Sequence, residues 1–150
     1  MKTRIKGGNK QSNKEKTLLS TKFKSRLYLG LAIISISIFM VFFAPFLSMQ
    51  LQNNQVDNLN SKAQTVLFYK SGCSACQKIY PSVFWHNVKY YNQPAKQIQV
   101  VNVQNMNNQH YIADYSVTQT PTFMNKMQPN ARVTTTNKQV VNGILNHGVQ

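Results

Sequence analysis

Thr65-Val66-Leu67-Phe68-Tyr69-Lys70-Ser71-Gly72-Cys73-Ser74-Ala75-Cys76-Gln77-Lys78-Ile79-Tyr80-Pro81 decides how this chain is read. Thr65–Tyr69 is a continuous apolar and β-branched run, the pattern of a buried strand. From Cys73 to about Tyr91, Ile79, Val83, Phe84 and Val88 fall at helical spacing, and Pro81 sits inside this helix, where it should kink it. Cys73 and Cys76 are the only cysteines. Their spacing puts both thiols within one helical turn, so they can bond to each other. A strand that runs into C-x-x-C and opens a helix is the arrangement that makes a thiol reactive. Downstream lies Thr120-Pro121-Thr122-Phe123. An X-Pro ahead of a short β-rich run suits a cis-proline brought up against the thiols. Together the two segments argue for thiol–disulfide exchange.

The start of a helix favours negative charge, because its first N–H groups lack partners and its dipole is positive there. Cys73 is therefore expected to ionise below the free-thiol value of about 8.5 and to act as the nucleophile. Cys76, one turn inside, is the resolving thiol. Ser74 is expected to donate a hydrogen bond towards the thiolate, and Ala75 completes a central pair without His or Pro. Two other readings compete, a static structural disulfide and half of a zinc site. Zinc normally takes four ligands, and the sequence holds no second C-x-x-C and no H-x-x-x-H. His86, His110 and His147 are scattered and read as packing or surface. A static loop this small would add little stability. No metal is expected, and no cofactor beyond the Cys73–Cys76 disulfide itself.

The residues from Gln64 to Gln150 suffice for one small core. Gln97–Val103 alternates and is β-branched. Asn105–Tyr115 reads as a short helix with Met106, His110 and Ala113 on one side. Thr122–Lys126 and Arg132–Thr136 read as strands joined by a turn at Gln128-Pro129-Asn130. Asn137–Asn146 closes as a helix with Val140, Val141, Ile144 and Leu145 on its apolar face. The order β-α-β-α-β-β-α predicts an α/β domain with a central sheet flanked by helices. The last two strands are joined too tightly for a crossover, so the sheet is mixed.

Over roughly Gln64 to Asn146 the chain resembles the thioredoxin superfamily. The resemblance rests on Val66-Leu67-Phe68-Tyr69 leading into Cys73-Ser74-Ala75-Cys76, on Pro81 five residues after the second cysteine, on Thr120-Pro121-Thr122-Phe123, and on the terminal hairpin and helix. It implies that Pro121 is a cis-proline whose ring limits other contacts beside the thiols. It also implies that the Thr120 backbone receives an extended substrate segment as an added edge strand. The chain departs from thioredoxin proper in several places. Gly72 precedes Cys73 instead of Trp, the central pair is Ser74-Ala75, and Leu67 stands where thioredoxin buries an Asp. The fold's first strand and helix would have to come from residues 51–63, which are polar, so a trimmed thioredoxin-like fold is expected.

Residues 1–26 hold nine of the 17 basic residues and one acid, Glu15, which leaves +8 of the formal +14 there. Little apolar content accompanies this charge, and the segment is expected to be disordered. Leu27–Leu47 follows without a charge, interrupted only by Ser35 and Ser37, and about 20 apolar residues span a bilayer core. The next base is Lys62. The positive-inside rule then gives residues 1–26 as a cytoplasmic tail, 27–47 as a single transmembrane helix, 48–63 as a polar linker or first helix and 64–150 as an extracellular domain. Within 48–63, Leu51, Val56 and Leu59 are candidates for partial burial. A cleaved signal peptide is the competing reading, but its apolar region is normally shorter and ends in a small-x-small site. The tail's lysines suit anionic lipid headgroups. No aromatic interleaving or DNA-binding motif supports nucleic acid as a partner.

These readings converge on a plasma-membrane thiol–disulfide oxidoreductase acting on thiols and disulfides of exported or cell-surface proteins. The absence of a lipobox cysteine, the anchor and the lysine-rich tail look like a Gram-positive surface protein. Reduction would need electrons carried across the membrane, and the span holds no thiols, so oxidase or isomerase is favoured over reductase; the membrane redox partner is unknown. The alternative is an accessory assembly factor of a secretion, bacteriocin or conjugative-transfer system, with a mainly docking role.

Overall fold

The computed structural model describes residues 9–52, 54–59 and 62–150. The expectations for residues 1–8, and for Asn53, Asn60 and Ser61, lie outside them. Two units are distinct, residues 1–42 and residues 43–150.

Helix α1 runs Asn9–Leu51. It begins inside the basic segment that was expected to be disordered. Once the apolar run nucleates a helix, each added Lys, Gln, Glu or Leu extends it at small cost, and this propagation wins over the polar composition. From Lys24 to Leu51 the helix is long and apolar enough to cross a membrane. From Leu27 to Phe43 its large apolar side chains are exposed, Ile33, Ile36 and Phe42 among them, whereas Met49 near its end is buried. Ser37 Oγ donates to the Ile33 carbonyl at 2.8 Å, so its hydroxyl is satisfied within the helix.

In the second unit, β1 (Thr65–Tyr69) is buried along its whole length. It leads into α2 (Ser74–Lys89), a one-turn 3₁₀ segment at Pro94–Lys96 and β2 (Ile98–Asn102). A second 3₁₀ turn at Met106–Asn108 precedes α3 (His110–Asp114). The chain closes with β3 (Thr122–Asn125), β4 (Arg132–Thr134) and α4 (Lys138–His147). The sheet order is β2-β1-β3-β4. β1 is parallel to β2 and antiparallel to β3, and β3 is antiparallel to β4, so the sheet is mixed as expected. Alternation sorts β1 between two cores. Leu67 and Tyr69 pack with Cys76, Ile79 and Val83 of α2 and Val141 and Ile144 of α4. Val66 and Phe68 pack with Val101, Val103, Tyr111 and Met124 on the opposite face. A strand covered on both faces reads as an unbroken apolar run, which is why it was legible.

Three local expectations fail. The buried side of the 106–115 segment is Asn108 and Tyr111, while Met106, His110 and Ala113 are exposed. The 3₁₀ turn shifts the angular spacing, so helical periodicity counted from Met106 does not carry into α3. Val140 of α4 and Leu51 of α1 are also exposed.

The polar stretch after α1 is fastened to the sheet. Fully buried Asn108 accepts from the Val56 N–H at 2.8 Å and donates to the carbonyls of Asn54 and Asn102 at 3.0 and 3.1 Å. Tyr111 Oη donates to the Val56 carbonyl at 2.8 Å, and Val56 and Leu59 pack against the second core. Asn108→Ala strips three backbone groups of their partner, one of them in a buried bond. Urea unfolding of the detergent-solubilised chain is expected to show a loss of about 2–3 kcal/mol; unchanged stability would show that Asn108 does not hold the strap.

Candidate active site

Cys73 is the N-cap of α2, with extended backbone (φ −85°, ψ 115°), and its Sγ accepts from the Cys76 N–H at 3.3 Å. Sulfur here takes the place of the usual capping oxygen and satisfies one of the orphan donors of the first turn. Cys73 is half-buried and Cys76 is fully buried, and both are free thiols, the reduced form of the pair. On the other side, Cys73 Sγ–H donates to the Thr120 carbonyl at 3.5 Å. The Thr120–Pro121 peptide bond is cis, and Pro121 is buried at the head of β3. Residues forty-seven apart in sequence thus meet at one sulfur.

Burial is the largest influence on the Cys73 thiol and raises its pKa. It is outweighed by hydrogen bonds from the Cys76 thiol and N–H, the Thr120 side chain and the Ala75 N–H, which together hold the pKa below the ordinary value. Burial pushes the Cys76 thiol up to about 12, and its hydrogen bond to Cys73 pushes the same way. The two thiols are therefore split into a more accessible, more acidic one and a buried, protonated one.

Ala75 thus contributes through its backbone N–H. Ser74 differs from its expected part: it is exposed, and the groups that lower the Cys73 pKa do not include its hydroxyl. At the first helical position the backbone N–H groups, not the outward side chain, face the sulfur.

Several supporting residues were not foreseen. Gln104 Oε1 accepts from the Gly72 N–H and the Ser71 hydroxyl, each at 3.3 Å. Gln77 Nε2 donates to the Ser71 carbonyl at 3.2 Å, and Asn102 Nδ2 donates to the Ser71 hydroxyl at 3.2 Å. These amides fasten the loop that delivers Cys73 to the helix start. Abundant Asn and Gln was the only signal, and composition does not say which amides clamp a loop. Behind Cys76, Tyr69 Oη donates to the carbonyls of Met49 and Gln52 at 3.4 and 3.2 Å, and Tyr80 Oη donates to Gln52 Oε1. Leu67 is fully buried in the apolar core, at the place where thioredoxin carries its Asp. His86 and His110 bond to the carbonyls of Lys96 and Asn107, and His147 is exposed.

A mixed sheet with a cysteine-capped helix set against a cis X-Pro segment defines a thioredoxin-like domain. The Thioredoxin family model matches residues 46–146, and the chain belongs to the thioredoxin family. Among solved structures it is similar to Fasciola hepatica thioredoxin, determined by X-ray crystallography, with 23% identity and a TM-score of 0.45. That similarity covers 56% of this chain and 78% of the other. No curated protein matches.

The pKa split makes a direct prediction. Alkylation of the reduced chain should rise with pH through a transition below that of an ordinary free thiol, assigned to Cys73. Lowering a thiol's pKa enlarges its thiolate fraction at every pH beneath the ordinary value, so reactivity starts earlier. Cys76→Ala deletes the thiol contact and should move the transition upward. A Cys73 that titrates at or above the free-thiol value would contradict the hydrogen-bond account.

Proposed function

We propose that this chain is a membrane-anchored thiol–disulfide oxidoreductase of the plasma membrane, with residues 1–26 cytoplasmic and the thioredoxin domain outside. The observation that carries the activity is the Cys73 sulfur held between the Cys76 N–H and the Thr120 carbonyl. The apolar helix with its lysines on one flank supports the anchor and its direction.

In the proposed reaction, the Cys73 thiolate attacks a client disulfide. One client sulfur bonds to Cys73 and the other leaves as a thiolate, which takes a proton. Cys76 then loses its proton and attacks the Cys73 sulfur. The second client sulfur departs as a thiol, and the Cys73–Cys76 disulfide remains. The client gains two electrons and the pair loses them. Every step reverses, so the same pair as a disulfide oxidises a client dithiol. Stabilising the Cys73 thiolate favours the reduced pair, which supports the oxidising direction, with a membrane redox partner restoring the disulfide. Extended clients would lie along the Thr120 backbone beside Pro121.

Cys73→Ser should abolish exchange with a disulfide-bonded model peptide in proteoliposomes. Cys76→Ser should accumulate a mixed disulfide through Cys73 that survives non-reducing electrophoresis. Retention of cellular function by Cys73→Ser would favour the docking role instead.

A further inference from the structure

The C-terminal turn of α1 is built into the thioredoxin domain and leaves no free tether between Leu47 and the thiols. Met49 is 1% exposed and lies in the same core as Cys76, Ile79 and Tyr69. Tyr69 Oη donates to the Met49 and Gln52 carbonyls, and the Tyr80 hydroxyl reaches Gln52 Oε1 and Ser48 Oγ. Gln50 Nε2 donates to the Ser71 carbonyl at 3.4 Å, two residues ahead of Cys73. Beyond the helix, the Asn108 and Tyr111 bonds hold Asn54 and Val56 to the domain.

These contacts set a limit on reach. The path from Leu47, the last residue of the apolar run, passes through Gln50 to Ser71 and on to Cys73. Even with every link extended it spans roughly 25 Å. This bound is independent of how the domain is turned. A flexible linker of thirty residues would instead let a domain roam by about 30 Å in root-mean-square terms.

We infer, building on the anchored oxidoreductase proposed above, that the Cys73–Cys76 pair serves juxtamembrane cysteines of membrane-embedded chains and does not reach thiols held far above the bilayer. The short path from Leu47 to Cys73 selects clients by height.

The test uses the full-length, pre-reduced chain in dilute proteoliposomes with one of two membrane-spanning reporters. Each carries the same disulfide loop, either at the bilayer surface or on a rigid repeat-protein stalk about 80 Å high, beyond the span a fixed seat can bridge. Glutathione disulfide is the soluble control. The surface reporter is expected to be reduced at least about tenfold faster than the raised one, because effective concentration falls towards zero when a tether cannot span the gap. A second variant carries a long Gly/Ser segment between Leu47 and Ser48, which leaves the seat intact but frees it from the apolar run. It should bring the two rates close together. Equal rates in the unmodified chain, with glutathione disulfide consumed, would overturn the height selection while leaving the oxidoreductase standing. Failure to react with glutathione disulfide would sink the oxidoreductase reading, and the client inference with it.

Discussion

One sulfur in one position organises this domain. Cys73 Sγ accepts the Cys76 N–H and contacts the Thr120 carbonyl, so it caps α2 and ties that helix to the head of β3. A helix N-terminus needs an acceptor, and a thiolate supplies one with full negative charge. The capping contact favours the ionised sulfur, while the Thr120 carbonyl accepts from the protonated one. The rest of the fold serves this placement. β1 delivers the loop, the Gln104, Gln77 and Asn102 amides hold it, and the two apolar cores keep β1 and α2 in register.

Much of this is legible in the sequence, for reasons that differ by element. β1 is covered on both faces, so an unbroken apolar run was the only pattern it could show. The C-x-x-C spacing and Pro81 are local features, and Cys73 falls at the helix start that the sequence indicated. The hairpin followed from a turn too short for a crossover, and the paired register of β3 and β4 agrees. Long-range polar pairing was not legible. Asn108 meets Val56 and Asn54 across more than fifty residues, and Gln104 meets Gly72 across thirty-two. Nothing in an Asn- and Gln-rich composition distinguishes such clamps from solvated amides. The exposed hydroxyl of Ser74 and the exposed face at Met106 are matters of local geometry, set by how a helix or a 3₁₀ turn begins.

The end of α1 gives the domain part of its core. Residues 51–63 looked too polar to replace the missing first strand and helix of a full thioredoxin. The replacement is divided, with Met49 filling the α2 side and Val56 and Leu59 the other. A helix that ends as part of a core cannot also be a loose leash.

The central claim is that Cys73 and Cys76 form an exchangeable dithiol–disulfide pair. Equilibrating the full-length chain in detergent micelles with graded glutathione redox buffers, then alkylating and weighing the intact protein, tests it most directly. The account predicts a reversible two-electron transition between dithiol and disulfide, with a midpoint between about −270 and −120 mV. A pair that stays locked in one state across the whole series would contradict it.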